Sequence, residues 1–204
     1  MTVFIIIFTS LISIMAFSNS QLVNKYQFNA YSIFHEKEWY RLFTHALFHG
    51  SWMHLLINML VLYSFGEFLI FAFRQFFTFI KPGLLFLIFY ILATGIASLY
   101  SLRKHRNNRY YNALGASGAV SAVVFASIFF EPYQRILFFG ILPIPGIIFG
   151  GIYLWYSYYM SKKGTDNIGH DAHFYGAVFG FIFPLLIDPQ LLLYFLERLM
   201  HPHF

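Results

Sequence analysis

The 204 residues are 59% hydrophobic and only 10% charged, with a mean hydropathy of +0.63, which leaves too few polar groups to clothe a water-soluble domain. Cysteine is absent, and this excludes disulfides, thiolate catalysis and Cys-ligated zinc or iron–sulfur centres. The formal net charge of +5 is scattered over short loops, a pattern that fits lipid headgroups and not nucleic acid. The expected class is all-α: a polytopic membrane protein, one domain over residues 1–204, surrounded by lipid bilayer.

In chain order the first apolar span is expected over residues 2–19. The first 24 residues carry no charge, and without the basic n-region that a signal peptide needs, the segment reads as a span. Residues 21–51 form a mixed polar and aromatic connector, long enough to require structure of its own. The second span is expected over residues 53–73, and Arg74 and Lys81 then flank a short loop ended by Pro82-Gly83. The third covers residues 83–102 and leads into a basic loop, Arg103 to Arg109. The fourth, residues 115–131, stops at Glu131-Pro132, because a helix does not readily continue through proline. The fifth is expected over residues 136–160, bent at Pro143 and Pro145. A polar loop follows, then a sixth span over residues 172–187 before Asp188-Pro189. Residues 190–204 are amphipathic and suited to the membrane surface. Phe, Tyr and Trp make up 23% of the chain, and near span ends such aromatics form interfacial belts.

The polar groups inside the spans converge on one layer. Ser117 lies 14 residues before Glu131, and His173 lies 15 before Asp188. At about 1.5 Å per residue through a core about 30 Å thick, each sits about 10 Å below one face. The fourth and sixth spans are both even-numbered, so they cross in the same direction and bring serine and histidine to the same face. His54 and Asn58 open the second span, also even, and reach that layer too. Gly176 and Gly180 stand four apart on the sixth span, while Gly115 and Gly118 thin the fourth, so the two backbones can approach closely.

Each polar residue also has a plainer reading. A serine in a transmembrane helix commonly bonds back to its own backbone, and His54 with Asn58 can bridge helices. A histidine within the membrane points to function by default, which makes His173 the strongest single clue. His170 and Asp171 are expected to be solvated at the mouth of the span. His45, His49 and His54 approach helical spacing, yet no HExxH and no paired acid accompany them, so no metal is expected. A channel or transporter is disfavoured by the absence of an inverted repeat and by polar groups gathered near one face.

Taken together, Leu114-Gly115-Ala116-Ser117-Gly118-Ala119, Ala172-His173-Phe174-Tyr175-Gly176 and His54-Leu55-Leu56-Ile57-Asn58 resemble the rhomboid family of intramembrane serine proteases. The resemblance is clearest from Trp39 through Gly180 and implies a six-transmembrane-helix, rhomboid-like bundle. It implies Ser117 as nucleophile and His173 as general base, a dyad without a third carboxylate, with His54, Asn58 and the backbone N–H of Ser117 as the oxyanion hole. No cofactor is implied, and the expected substrates are single-span or polytopic membrane proteins. The stretch Tyr40 to His49 resembles the family's first connector, in which His45 and His49 would be structural. Three positions depart from the family pattern. Ser121 stands where an aromatic often stacks on the histidine, Tyr40 replaces the tryptophan before Arg41, and Glu67 directly follows Gly66 instead of lying a turn later.

By the same resemblance the protein is expected to be multi-pass in the inner membrane, its active site opening to the outer face. That places nine Lys/Arg outside (Lys25, Lys37, Arg41, Arg103, Lys104, Arg106, Arg109, Lys162, Lys163) against four inside (Arg74, Lys81, Arg135, Arg198). The positive-inside rule favours the reverse; the reading follows the family, since the long connector and the uncharged first span weaken that rule. The loop Ser161 to Gly169, hinged at Gly164 and Gly169, is expected to cover the pocket. The competing function is a catalytically silent relative that binds or chaperones membrane proteins, and the intact set Ser117, His173, Asn58 and His54 favours the enzyme.

Overall fold

Local signals set where the helices begin and end. In the computed structural model, which describes residues 1–138, 141–164 and 168–201, helix α1 is Thr2–Phe17 and α2 is Ser20–Tyr26, capped by the Asn19 side chain on Leu22 N–H. Strand β1 (Phe28–Asn29) leads into α3 (Ala30–His35), where Asn29 caps Ser32 N–H. Helix α4 (Arg41–Thr44) and a 3-10 turn (His45–Leu47) follow. Ser51 accepts His54 N–H to start α5 (Trp52–Phe76), and Pro82 opens α6 (Pro82–His105), at a position where its missing N–H has no partner to lose. Strand β2 (Asn112–Ala113), α7 (Ser117–Phe130), β3 (Arg135–Phe138), β4 (Leu142–Pro145), α8 (Gly146–Lys163), α9 (His170–Ile187) and α10 (Leu191–Met200) complete the order.

Helix α7 is the axis of the bundle. Every residue from Gly118 to Phe130 is buried, as expected of a helix that is apolar all round. Gly176 and Gly180 of α9 let it lie backbone to backbone on α7: a Cβ at Gly176 would overlap the Gly118 carbonyl, and one at Gly180 the Ala122 carbonyl. Below this contact, Phe73 of α5, Phe89 of α6, Phe130 of α7 and Phe183 of α9 interlock, Phe73 edge to face with Phe89 and Phe130 and Phe183 tilted against Phe73 and Phe89, arrangements that aromatic quadrupoles favour over a face-to-face sandwich. Large apolar side chains cover the outside, with Met15 66%, Leu60 62% and Trp155 67% exposed. A surface of that kind is stable facing lipid and unstable facing water. Among the described residues three helices, α5, α6 and α9, are long and apolar enough to cross a membrane, and α1 and α7 are shorter apolar helices.

The expectations need three corrections. The fifth apolar stretch is not helical from residue 136: β3 and β4 pair antiparallel, Arg135↔Pro145 through Phe138↔Leu142, and the helix starts at Gly146. Pro143 and Pro145 do not bend a helix; they prevent one, lacking the N–H that an interior turn needs, and are tolerated because each strand of a two-stranded ribbon is an edge. Nor is the chain purely helical, since β1 pairs with β2, Phe28↔Ala113 and Asn29↔Asn112. The connector thus reaches across to the segment just before Ser117. Of the loop Ser161 to Gly169, residues 165–167 lie outside the described residues; α8 runs to Lys163 and ends on Gly164 in the left-handed conformation (φ +59°).

The tail packs as an amphipathic helix against the end of α7 opposite to Ser117. Arg198 of α10 pairs with Glu131, and the Tyr194 hydroxyl donates to the Phe130 carbonyl at 3.2 Å.

Candidate active site

Ser117 is the first residue of α7, and the turn that delivers it is held by the connector. Gly115 has φ +122°, and a Cβ there would come within 2.6 Å of the His54 ring, so glycine is required for both conformation and space. Gly115 N–H donates to the His45 carbonyl at 3.0 Å, and Ala116 N–H donates to His49 Nε2 at 3.4 Å. On its other side His49 Nδ1 meets Ser13 Oγ of α1 at 2.9 Å, while the Ser13 hydroxyl donates to the Leu47 carbonyl at 2.8 Å. With that proton committed, His49 must carry its hydrogen on Nδ1 and accept at Nε2. Burial, with the nearby His54 ring adding to it, pushes His49 down to about 3, in keeping with this neutral form. His45 is likewise buried, bonded through Nε2 to Ser98 of α6 at 3.1 Å, and pushed down by burial to about 4.

The facing helix supplies the base. His173 Nε2 lies 2.7 Å from Ser117 Oγ, a distance fixed by the glycine contact between α7 and α9 one turn deeper. Hydrogen-bonded serine and imidazole at this separation can exchange a proton as the oxygen attacks an electrophile. Because Ser117 begins its helix, the first N–H groups of α7 have no carbonyl a turn earlier to bond, and their partial positive charge points at the serine. That favours an anion forming beside Ser117.

Ser117, His173, His54 and Asn58 all line one cavity of about 680 Å³. Asn58 is buried and donates one amide hydrogen to the His54 carbonyl at 2.8 Å, which leaves a second donor on the same group. His54 stacks edge-on against His49, ring centroids 4.9 Å apart. Among the described residues no cluster of three or more His, Asp or Glu is arranged to hold a metal.

Two arrangements lie beyond what the sequence reading anticipated. His170 and Asp171, expected to be solvated, are buried; Lys104, arriving from the end of α6, pairs with Asp171 at 2.8 Å and also reaches the Ser161 carbonyl of α8 at 3.4 Å, so the carboxylate is neutralised where it is withdrawn from water. Opposite charges on two span ends at the same face were the available signal. The second is Tyr153 of α8, whose ring lies near His173 and whose hydroxyl meets Ser121 Oγ at 2.6 Å. No motif marks Tyr153 in the sequence.

No curated protein matches the chain significantly. The family model described as Rhomboid domain matches residues 36–189, a stretch that takes in the connector, Ser117 and His173 and makes up well over half of the chain. The protein belongs to the rhomboid family, whose members are typically intramembrane proteases.

Proposed function

We propose that the protein is an intramembrane serine endopeptidase that cleaves single-span or polytopic membrane proteins through a Ser117–His173 dyad. The observation that carries this reading is the 2.7 Å contact between His173 Nε2 and Ser117 Oγ, made inside a cavity shared with His54 and Asn58. In the reaction His173 takes the Ser117 proton while Oγ adds to the scissile carbonyl. The oxyanion is met by the Ser117 N–H, the Asn58 amide and His54. His173 then returns the proton to the departing amine, leaving an acyl-enzyme, and a water activated by the same imidazole releases the acid. On this reading α1, α5, α6, α7, α8 and α9 are the six spans, in an inner membrane, and the cavity opens to its outer face, where water is available for the second step.

The test is labelling by a fluorophosphonate probe, with cleavage of a model transmembrane substrate measured alongside. Wild-type protein is expected to label at Ser117 and to cleave; Ser117→Ala and His173→Ala are expected to do neither while remaining folded in detergent. Retained cleavage by Ser117→Ala would overturn the reading, and a wild-type chain that neither labels nor cleaves would favour a silent binder of membrane proteins.

A further inference from the structure

We propose that Tyr153 of α8 is a positioning residue for the dyad, holding the His173 imidazole with its ring and the Ser117 backbone, through Ser121, with its hydroxyl. The inference rests on the protease reading and deepens it, because it brings a fourth helix, α8, into a site otherwise built from α5, α7 and α9. Ser121, one turn beyond Ser117, is too small to reach the imidazole. Tyr153 arrives from the neighbouring helix instead: its ring lies 29° from coplanar with His173, centroids 6.3 Å apart, within the range of aromatic contact. Phe125 and Phe149 pack on the same tyrosine with centroids 5.6 Å and 5.7 Å away, so the ring is wedged in place.

The hydroxyl end is equally constrained. Ser121 Oγ bonds the Ser117 carbonyl at 2.8 Å and the Tyr153 hydroxyl at 2.6 Å, and the same phenol also bonds the Ser157 side chain. One side chain thereby reaches both members of the dyad. Its ring limits the rotation of the imidazole that would carry Nε2 away from Ser117 Oγ, and its hydroxyl, through Ser121, steadies the Ser117 carbonyl and so the turn that carries Oγ. Both effects are felt in the chemical step more than in substrate binding, so they belong to kcat.

The experiment uses the full chain in detergent micelles, with a transmembrane substrate and rates expressed per molecule that labels with fluorophosphonate. Tyr153→Leu, which keeps bulk and loses the ring, is expected to lower kcat about 10-fold or more while KM changes less than about two-fold. Tyr153→Phe restores the ring and is expected to recover most of that loss. Ser121→Ala is expected to lose no more than Tyr153→Phe, which also gives up the contact with Ser157, and the double variant to be no worse than Tyr153→Phe, since both changes remove the shared Ser121–Tyr153 bond. If Tyr153→Leu does not fold, Ser121→Tyr combined with Tyr153→Ala returns a ring to the base from α7 and is expected to exceed Tyr153→Ala in kcat. An active wild type with unchanged kcat in Tyr153→Leu, or with equal losses in Tyr153→Leu and Tyr153→Phe, overturns this inference alone. A wild type that neither labels nor cleaves overturns the protease reading and this inference with it.

Discussion

Asn58 is the residue whose replacement best separates binding from chemistry. On the proposed mechanism it donates to charge that exists only in the transition state, so Asn58→Ala is expected to lower kcat on the order of 10²-fold with little change in KM; a raised KM with kcat intact would make it a substrate-positioning group. His49 makes a different kind of prediction. It is held neutral in the fold, whereas in the unfolded chain it would titrate near 6.5. Between that value and its folded value of about 3 the unfolded state binds more protons, so stability rises with pH there and falls on acidification. His45, pushed down to about 4, acts in the same sense. Thermal unfolding in detergent should therefore weaken as pH drops from 7 towards 4.5, by on the order of 1 kcal/mol per pH unit for each histidine. A flat profile, or one left unchanged by His49→Gln, would contradict the buried neutral hub.

Helices α7 and α9 form the element pair on which the site depends. With the Gly118 and Ala122 carbonyls where Cβ atoms of Gly176 and Gly180 would sit, even alanine at either glycine must push the helices apart. Gly176→Ala and Gly180→Ala are expected to destabilise by about 1–3 kcal/mol and to reduce activity further, because the same displacement lengthens the Ser117–His173 contact. Gly151 of α8 is the internal control: a Cβ there meets nothing within 4 Å, so Gly151→Ala should be neutral or stabilising by up to about 1 kcal/mol. Melting temperatures and cleavage rates of the three variants, taken side by side, check the argument; equal effects at Gly151 and Gly176 would refute it.

At the scale of the whole molecule, the connector is a structural part and not a tether. Through β1–β2 pairing, the His45 carbonyl and the His49 ring it holds the turn ahead of Ser117, and through Arg41, bonded to Glu38 and to the Asn24 and Gln27 carbonyls, it holds itself. The outward apolar surface makes lipid the expected surroundings, and the six crossings proposed above would place both chain ends on one side. On the proposed orientation that side is the cytoplasm: alkaline phosphatase fused after Phe204 should be inactive, and a fluorescent protein there should be bright. The opposite result would follow the Lys/Arg distribution instead and turn the cavity inward.

Hydropathy and spacing alone determined the membrane class, the positions of five of the helices to within a few residues, and the grouping of Ser117, His173, His54 and Asn58, which line one cavity. These follow from rise per residue and from the scarcity of charge, both of which are properties of the chain itself. The fifth stretch was misread because an apolar count does not register a missing N–H, and two prolines turned its start into a pair of strands. Asp171 and His49 needed the tertiary structure, since their burial is tolerable only beside partners distant in sequence, Lys104 in one case and Ser13 with Ala116 in the other. Tyr153 needed it most: a tyrosine on a helix rich in tyrosine is indistinguishable from its neighbours until packing decides which one lies against His173.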